Sequence, residues 1–139
     1  MAVPLVRADR LSGDVPYAYA AIAPPGGLIF TAGACPPDEN GAVVGVGDIQ
    51  AQARQVVANL TEALAAAGAS LPDVLKTTVY VASSDRGDLV AAWDVVRGAF
   101  ADHDAPSTLL GVAALGYPGQ LVEVEAVAVA GGAHPGQPS

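Results

Sequence analysis

Two glutamates near the C-terminus have the type and spacing that suit acid–base chemistry. Glu123 and Glu125 lie two positions apart in LVEVEAVAV (121–129), so an extended chain directs both side chains to one face, about 7 Å apart. Aliphatic residues of the same run share that face, and a carboxyl group in such surroundings is suited to proton transfer. The structural alternative is that one glutamate pairs with Lys76 or an arginine while the other lies at a solvated edge.

Hydroxyl, imidazole and thiol groups supply further candidates. Ser107 and Thr108 precede an apolar run, where their hydroxyls suit a substrate carboxylate or local backbone groups. A serine nucleophile is disfavoured because the chain lacks a G-x-S-x-G motif. His103 follows a predicted helix and is expected to interact with its last carbonyls. Cys35 follows a predicted strand, and we expect a small buried hydrophobic residue there, with a place in a cleft as the alternative.

Aromatic and metal-binding patterns add little specificity. Tyr17 and Tyr19 alternate with alanine in PYAYA (16–20), so both are predicted on one face, either as core or as the wall of a pocket. The glycine spacing fits no dinucleotide-binding or phosphate-binding loop. His103 and His134 lie far apart, and no histidine–carboxylate pair has ligand spacing. The sequence therefore predicts neither a cofactor nor a metal ion.

Composition limits the possible partners. The chain has 139 residues, enough for one domain with a hydrophobic core. Its formal net charge of −8, with only six lysines and arginines, disfavours a nucleic-acid partner because too few cations face the phosphates. A single cysteine excludes an internal disulfide. No apolar run approaches the roughly 18 residues of a membrane span. With no secretory signal pattern at the N-terminus, a cytoplasmic protein without a membrane partner is expected.

Two helices and several strands must position these residues. Apolar residues at helical spacing predict helices over Asp48–Ala67, capped by Asp48, and over Arg86–Ala101, capped by Ser84 or Asp85. Alternating or short apolar runs predict strands over Val15–Ala23, Gly27–Ala34, Leu75–Ala82, Thr108–Ala113 and Leu121–Val129. The predicted order is β-β-β-α-β-α-β-β, with a short first strand.

This order indicates an α+β domain over residues 1–130, with one sheet and both helices on one face. The tail at 131–139, which includes His134, is rich in glycine and proline and is predicted to be disordered. One chain has nothing left to cover the second face of the sheet, so an oligomer is expected.

Four stretches together carry a family pattern. They are PYAYA (16–20), GGLIFTAGACPP (26–37), the long run from Asp48 to Val81, and LVEVEAVAV (121–129). In the long run, DIQAQARQVVANLTEALAAAGASLPDVLKTTVYV, the most specific features are the first turn, Asn59, and the segment AGASLPDVLKTTVYV. Taken together, these stretches resemble the RidA/YjgF family of reactive-intermediate (enamine/imine) deaminases.

The resemblance implies a fold like that of trimeric chorismate mutase. Three chains would pack their sheets into a barrel-like core, with helices outside and three clefts between subunits. It also implies cofactor-free hydrolysis of 2-imino or 2-enamino acids to 2-oxo acids and ammonia. In the family an arginine holds the substrate carboxylate, while a glutamate and backbone groups place the attacking water. By resemblance Glu123 is the proton-transfer group, Tyr17 a pocket wall and Gly33 a backbone donor.

Five positions depart from the family pattern. Ser107 aligns with the substrate-binding arginine, and Ala34 stands where the family usually has glutamine. Ala32 replaces a frequent serine, Trp93 an asparagine and Leu109 a cysteine. Ser107 supplies one neutral donor in place of a charge-assisted hydrogen bond, a loss of roughly 1.5–3 kcal/mol of binding free energy.

Three functions stay open at this point. The first is imine or enamine hydrolysis with an altered substrate range. The second is tautomerisation, cyclisation or hydrolysis of a metabolite without a carboxylate, as in a specialised pathway. The third is a non-catalytic trimer that binds a small molecule or a partner protein. A hydrated Glu123 that faces Ser107 favours the first two, and a buried, paired Glu123 favours the third. Arg54, Arg86 and Arg97 are candidates for a replacement cation across an interface.

Overall fold

The computed structural model describes residues 3–38 and 40–130. In chain order its elements are β1 Leu5–Val6, β2 Ala20–Ala21, β3 Leu28–Phe30, α1 Ile49–Ala66, β4 Val74–Val81, α2 Arg86–Phe100, β5 Ser107–Gly111 and β6 Val122–Val129. A short 3-10 turn, Leu71–Asp73, leads into β4. This order matches the predicted one. The predicted disordered tail, with His134, lies outside the described residues.

Both helices begin where their capping residues predict. The Asp48 side chain accepts a hydrogen bond from the Ala51 N–H at 3.0 Å, and Asp85 accepts one from the Gly87 N–H at 2.9 Å. The predicted apolar stripes face the core, with these helix residues buried: Ala53, Val56, Leu60, Leu64, Val96 and Phe100. Just past the end of α1, Gly68 has a φ of +87°, a conformation that L side chains rarely adopt.

The main sheet has the strand order β3-β6-β4-β5. The β3–β6 and β4–β6 pairs are antiparallel, and β4–β5 is parallel. Alternate residues of the two central strands are buried beneath the helices, with Val79 and Val124 both at 0% exposure. The α+β prediction, with both helices on one face of one sheet, is therefore confirmed.

The opposite face of this sheet, called here the open face, has no covering element among residues 3–38 and 40–130. Apolar side chains at its two edges are exposed: Leu28 at 47%, Phe30 at 72% and Leu110 at 43%. Tyr80 and Glu123 lie between those edges as register partners on the two central strands. Large exposed apolar groups of this kind mark a surface suited to a contact.

Several predicted boundaries are wrong. In the predicted strand Val15–Ala23, only Ala20–Ala21 is extended, and it pairs with β1 in a separate two-stranded sheet. Pro16 supplies no N–H, and the Ala18 N–H donates to the Asp104 carbonyl at 2.7 Å, which takes this segment away from the main sheet. β5 begins at Ser107, one residue earlier than predicted, and ends at Gly111.

β3 is also shorter than predicted. It ends at Phe30, beyond which the Thr31 N–H still donates to the Ala126 carbonyl at 3.0 Å, and an isolated bridge pairs Ala34 with Val124. At the interruption the Thr31 hydroxyl accepts a hydrogen bond from the Ala126 N–H at 3.0 Å. Within the described residues, no helix is long and apolar enough to cross a membrane.

Candidate functional site

Glu123 lies on the open face of β6, and neutral donors hold its carboxylate. Its Oε1 accepts hydrogen bonds from the Cys35 thiol and from the Gln120 amide Nε2, both at 3.3 Å. The predicted pairing of a glutamate with Lys76 is wrong, because the Lys76 ammonium donates instead to the Thr108 hydroxyl at 2.6 Å. Among residues 3–38 and 40–130, no cation forms an ion pair with Glu123.

Gly33 brings the backbone against this carboxylate. A Cβ at position 33 would lie 2.5 Å from Cδ and 2.8 Å from Cγ of Glu123, so only glycine fits without displacing the side chain. The Gly33 N–H has no hydrogen-bond partner in the described part of the chain. A donor left open beside a carboxylate is suited to an oxygen of a bound ligand. This geometry agrees with the role that the family resemblance gives Gly33.

Cys35 is half-buried and bonded to Glu123, so the expected role of a small buried hydrophobic residue is wrong. Burial, together with the hydrogen bond to Glu123 and its negative charge, raises the pKa of the Cys35 thiol to about 11. The sulfur therefore keeps its proton at neutral pH. It acts as an S–H donor rather than as a thiolate nucleophile.

Glu125 is engaged differently from Glu123, although both lie on the same face. It accepts a hydrogen bond from the Tyr80 hydroxyl. That hydrogen bond, with burial adding to it, raises the pKa of Tyr80, so the hydroxyl keeps its proton and remains a donor. Glu125 thus has a fixed phenolic partner.

A second group of predicted residues meets elsewhere. Tyr17, Trp93, Ser107 and Leu109 line one cleft, here called the Ser107 cleft, with a volume of about 260 Å³. Its walls are mainly aromatic and aliphatic. The Ser107 hydroxyl contacts that of Thr77, which is only 1% exposed, and also lies 3.3 Å from the Ala105 carbonyl.

The N-terminal segment holds Tyr17 at this cleft. The Arg7 guanidinium donates to the carbonyls of Val15 and Tyr17 and forms an ion pair of 2.9 Å with Asp104. The Tyr17 ring packs edge-on against Tyr19, with 5.8 Å between ring centroids. The side chains of the two tyrosines therefore lie on the same side of this segment, as predicted, although the segment is not a strand. Arg7 escaped the sequence analysis because no periodic pattern includes it.

The two groups lie on opposite faces of the sheet. Ser107 pairs in register with Thr77, which is buried beneath the helices. Glu123 pairs with Tyr80 on the open face. Directly paired residues share a face, so within one chain Glu123 does not face Ser107. Ala32 is exposed and directly precedes Gly33 in the chain.

His103 has a structural role that differs from the predicted one. Its Nε2 lies 2.7 Å from the carbonyl of Val74, at the start of β4, rather than from a carbonyl at the end of α2. The ring also stacks on Phe100, with 6.3 Å between centroids. Of the three arginines considered as replacement cations, Arg97 borders the Ser107 cleft, since it lines a small adjoining cavity with Trp93 and Ser107.

Two residues that the sequence patterns did not identify as site residues support the Glu123 group. Gln120 is 4% exposed and reaches Glu123 from the loop before β6, where no pattern marks it. Asn59, on α1, donates to the carbonyls of Cys35 and Pro37 at 2.8 and 2.9 Å. The described residues contain no cluster of three or more histidine, cysteine or acidic side chains that could hold a metal ion.

Comparison with known proteins places this geometry in a family context. A RutC family protein of Pyrococcus horikoshii is 36% identical over 113 residues, which cover 81% of this chain and 86% of the relative. The 3-aminoacrylate deaminase RutC of Acinetobacter baylyi is 33% identical over 73% of this chain and 78% of that protein. A 2-iminobutanoate/2-iminopropanoate deaminase of Salmonella typhimurium is 36% identical over 58% of this chain and 60% of its own length.

Solved structures agree with the sequence comparison. The crystal structure of YyfB, a Rid-family protein of unknown function from Yersinia pestis, matches with a TM-score of 0.85 at 33% identity, over 93% of this chain and 99% of that chain. The sequence model of the family described as Endoribonuclease L-PSP matches residues 8–130. This chain therefore belongs to the RidA/YjgF family.

Proposed function

We propose that this protein is a cofactor-free enamine/imine hydrolase of altered substrate range, which acts in clefts between the subunits of a homotrimer. The observation that carries the proposal is the carboxylate of Glu123, which has neutral donors on one oxygen and no cation partner among the described residues. The backbone of Gly33, whose N–H has no partner in the described part of the chain, packs against it. The deaminase names of two relatives support the reaction class.

In the proposed reaction Glu123 moves protons and the backbone binds oxygen. An enamine first takes a proton on carbon and gives up one from nitrogen, which yields the imine. Water then adds to the imine carbon while Glu123 accepts one of its protons, and the same carboxyl group returns that proton to nitrogen, which gives a carbinolamine. The carboxylate next takes the hydroxyl proton of the carbinolamine and passes it to nitrogen, the C–N bond breaks as the C=O bond forms, and an oxo product and ammonia leave. The Gly33 N–H would donate to the oxygen that enters as water.

The exposed apolar edges of the open face support an assembly. Leu28, Phe30 and Leu110 would lose contact with water if a second copy of the chain packed on this face. A neighbouring subunit would also offer a route for a Ser107 cleft to approach a Glu123 group, which one chain keeps on opposite faces. The family resemblance favours three copies over two.

A second candidate is turnover of a substrate without a carboxylate, and the Ser107 cleft favours it. The Ser107 hydroxyl already contacts Thr77, and the other lining residues are Tyr17, Trp93 and Leu109. None of the described residues that line this cleft is an arginine, and Arg97 lines only the small adjoining cavity. A neutral or larger imine would meet apolar walls there, whereas a carboxylate would lack a fixed cation.

The deciding experiment compares ammonia release from two freshly generated imines that differ in one group, a 2-imino acid and its uncharged carboxamide. Turnover of the acid supports the first candidate, and preference for the carboxamide supports the second. Glu123→Ala should remove either activity. If neither imine is hydrolysed while a small ligand or partner protein binds, the non-catalytic trimer is the better description.

Partner and location expectations stay predictions. The net charge of −8 leads us to expect no RNA cleavage, which incubation with labelled RNA beside the imine assay would test. Sedimentation of the full chain would report the proposed trimer. A small-molecule substrate, no membrane partner and a cytoplasmic location are likewise expected from the sequence.

A further inference from the structure

We propose that Gln120 and Cys35 are positioning residues, which fix the Glu123 carboxylate through one oxygen, Oε1, and leave Oε2 for proton transfer. The proposal rests on the proposed function, because it assumes that Glu123 is the group that moves protons. It starts from the convergence of two donors on one atom, with the Cys35 sulfur and the Gln120 Nε2 each 3.3 Å from Oε1.

The other oxygen of Glu123 is differently placed. Among residues 3–38 and 40–130, Oε2 accepts no hydrogen bond, and it is the Glu123 atom nearest to the place of a Cβ on Gly33. The two carboxylate oxygens are equivalent, so what the two donors fix is the plane of the carboxylate, because a partial turn would draw the bonded oxygen away from both of them. In that plane the second oxygen position has no donor among the described residues and faces the backbone of Gly33.

The Gln120 amide is locked in the orientation that makes it a donor to Glu123. Its Oε1 accepts from the Tyr117 N–H at 3.1 Å, and its Nε2 donates to the Val122 carbonyl at 3.2 Å as well as to Glu123. A flipped amide would set its oxygen against two acceptors and its NH₂ group against a donor. Because Gln120 is only 4% exposed, water cannot readily replace the hydrogen bonds that the flip would break.

The Cys35 donor is held from the opposite side. Asn59 binds the carbonyls of Cys35 and Pro37 at 2.8 and 2.9 Å, and Gln55 donates to the Asn59 side-chain oxygen at 3.0 Å. The thiol, with its raised pKa of about 11, keeps its proton in the neutral range. Neither donor therefore competes with Glu123 for the proton that it moves.

The first test measures kcat and KM for the imine that the wild-type protein hydrolyses best. Gln120→Leu and Cys35→Ala should each lower kcat about 10-fold with little change in KM, because they affect the reacting carboxylate rather than substrate binding. Cys35→Ser keeps a donor and should restore most of the kcat. The double variant should lose less than the product of the two single losses, since both donors act on one oxygen.

Gln52→Leu is the matched control, since it removes another buried glutamine that holds the same loop. Gln52 binds the Gly119 carbonyl and the Leu121 N–H at 2.8 and 2.7 Å but does not touch Glu123. We expect it to lower the unfolding temperature and to leave kcat within about 3-fold. An equal loss of kcat in Gln52→Leu and Gln120→Leu would mean that loop order alone matters, and would overturn the positioning role.

A second test needs no turnover, because the chain has one cysteine. Ultraviolet absorbance of the thiolate follows the titration of Cys35, whose pKa of about 11 should move down toward its ordinary value in Glu123→Gln. An unchanged titration would overturn the contact itself. If the titration moves but wild type hydrolyses no imine, the proposed function fails and the catalytic role of both donors fails with it. If Glu123→Gln abolishes turnover while Gln120→Leu and Cys35→Ala match wild type, only the positioning role fails.

Discussion

The Glu123 group and the Ser107 cleft differ in how their polar atoms are used. On the open face, Glu123 has one oxygen held by two neutral donors and a glycine N–H without a partner beside it. Beneath the helices, the Ser107 hydroxyl is engaged with Thr77, and the remaining walls are aromatic or aliphatic. The first region holds a carboxylate with one oxygen that no described residue bonds, as the proposed proton transfer requires, whereas the second suits shape recognition of an apolar group.

It follows that the two halves of the candidate site, the Glu123 group and the Ser107 cleft, can change independently. A substitution at Ser107 lies two strands away from Glu123 and on the other face of the sheet. Under the proposed function, substrate choice can therefore alter without any change at Glu123. Substitutions in each region can test whether the two groups act independently.

The largest expected effect is on turnover, and it contrasts the two glutamates of β6. Glu123→Gln should lower kcat by about 100-fold or more, because the amide cannot accept a proton from water. Glu125→Gln is the control on the same face, and should stay within about 5-fold since Glu125 is bound to Tyr80. Steady-state ammonia release measures both. Equal losses of kcat would show that the two carboxylates act together, and would contradict the proposal that Glu123 alone transfers the proton.

The next effect concerns the Ser107 cleft. Ser107→Arg should tighten the binding of 2-imino acids by about 10- to 100-fold, the range that a charge-assisted hydrogen bond supplies. The carboxamide analogue should gain nothing. Ser107→Met, which is long but uncharged, separates charge from size, and KM for acid and carboxamide is the measurement. Equal gains for both ligands would argue against a missing carboxylate anchor.

The third prediction concerns protein stability and tests the contact between Gly33 and Glu123. Gly33→Ala should destabilise the protein by about 1–3 kcal/mol, because its methyl group would overlap the Glu123 side chain. Gly98→Ala is the matched control on α2, where a new Cβ meets nothing within 4 Å and should stabilise the helix by about 0.5–1 kcal/mol. Thermal unfolding reports both. A neutral Gly33→Ala would show that the carboxylate moves aside freely.

The smallest effect is a pH dependence of stability. The pKa of the Cys35 thiol is about 11 in the folded protein, whereas an ordinary cysteine thiol has a pKa of 9.0. The folded chain therefore binds this proton more tightly than the unfolded chain. Its contribution is complete below about pH 9 and is lost as pH rises toward 11. Cys35→Ala should therefore show a weaker fall in stability across this range than wild type. Denaturant unfolding at several pH values checks the slope, and identical slopes would contradict the raised pKa of the Cys35 thiol.

Local patterns in the sequence predicted the helices and their caps, and the shared face of the two glutamates. Asp48 and Asp85 cap the two helices as predicted, because capping needs only the next few residues. Alternation along β6 put Glu123 and Glu125 on one face for the same local reason. The family resemblance then identified Gly33 and Tyr17 as site residues, and Gly33 does lie against Glu123.

Other parts of the site depended on contacts between distant residues. The thiol of Cys35 meets Glu123 from 88 positions away, and no sequence period announces such a contact. The segment around Tyr17 alternates as a strand does, yet Arg7 and Asp104 bind it outside the main sheet. Non-local hydrogen bonds outweighed the local strand preference there.

Local sequence patterns therefore specify which residues share a face within each element, together with the caps and the order of the elements. That Ser107 and Glu123 lie on opposite faces depends on how the strands pair in the folded chain. The faces of two strands relative to each other depend on the register of pairing, and a shift of one residue would turn Ser107 to the other side. That register pairs Ser107 with Thr77 and Tyr80 with Glu123, and it is set by packing beneath the helices, which the pattern of one strand does not contain.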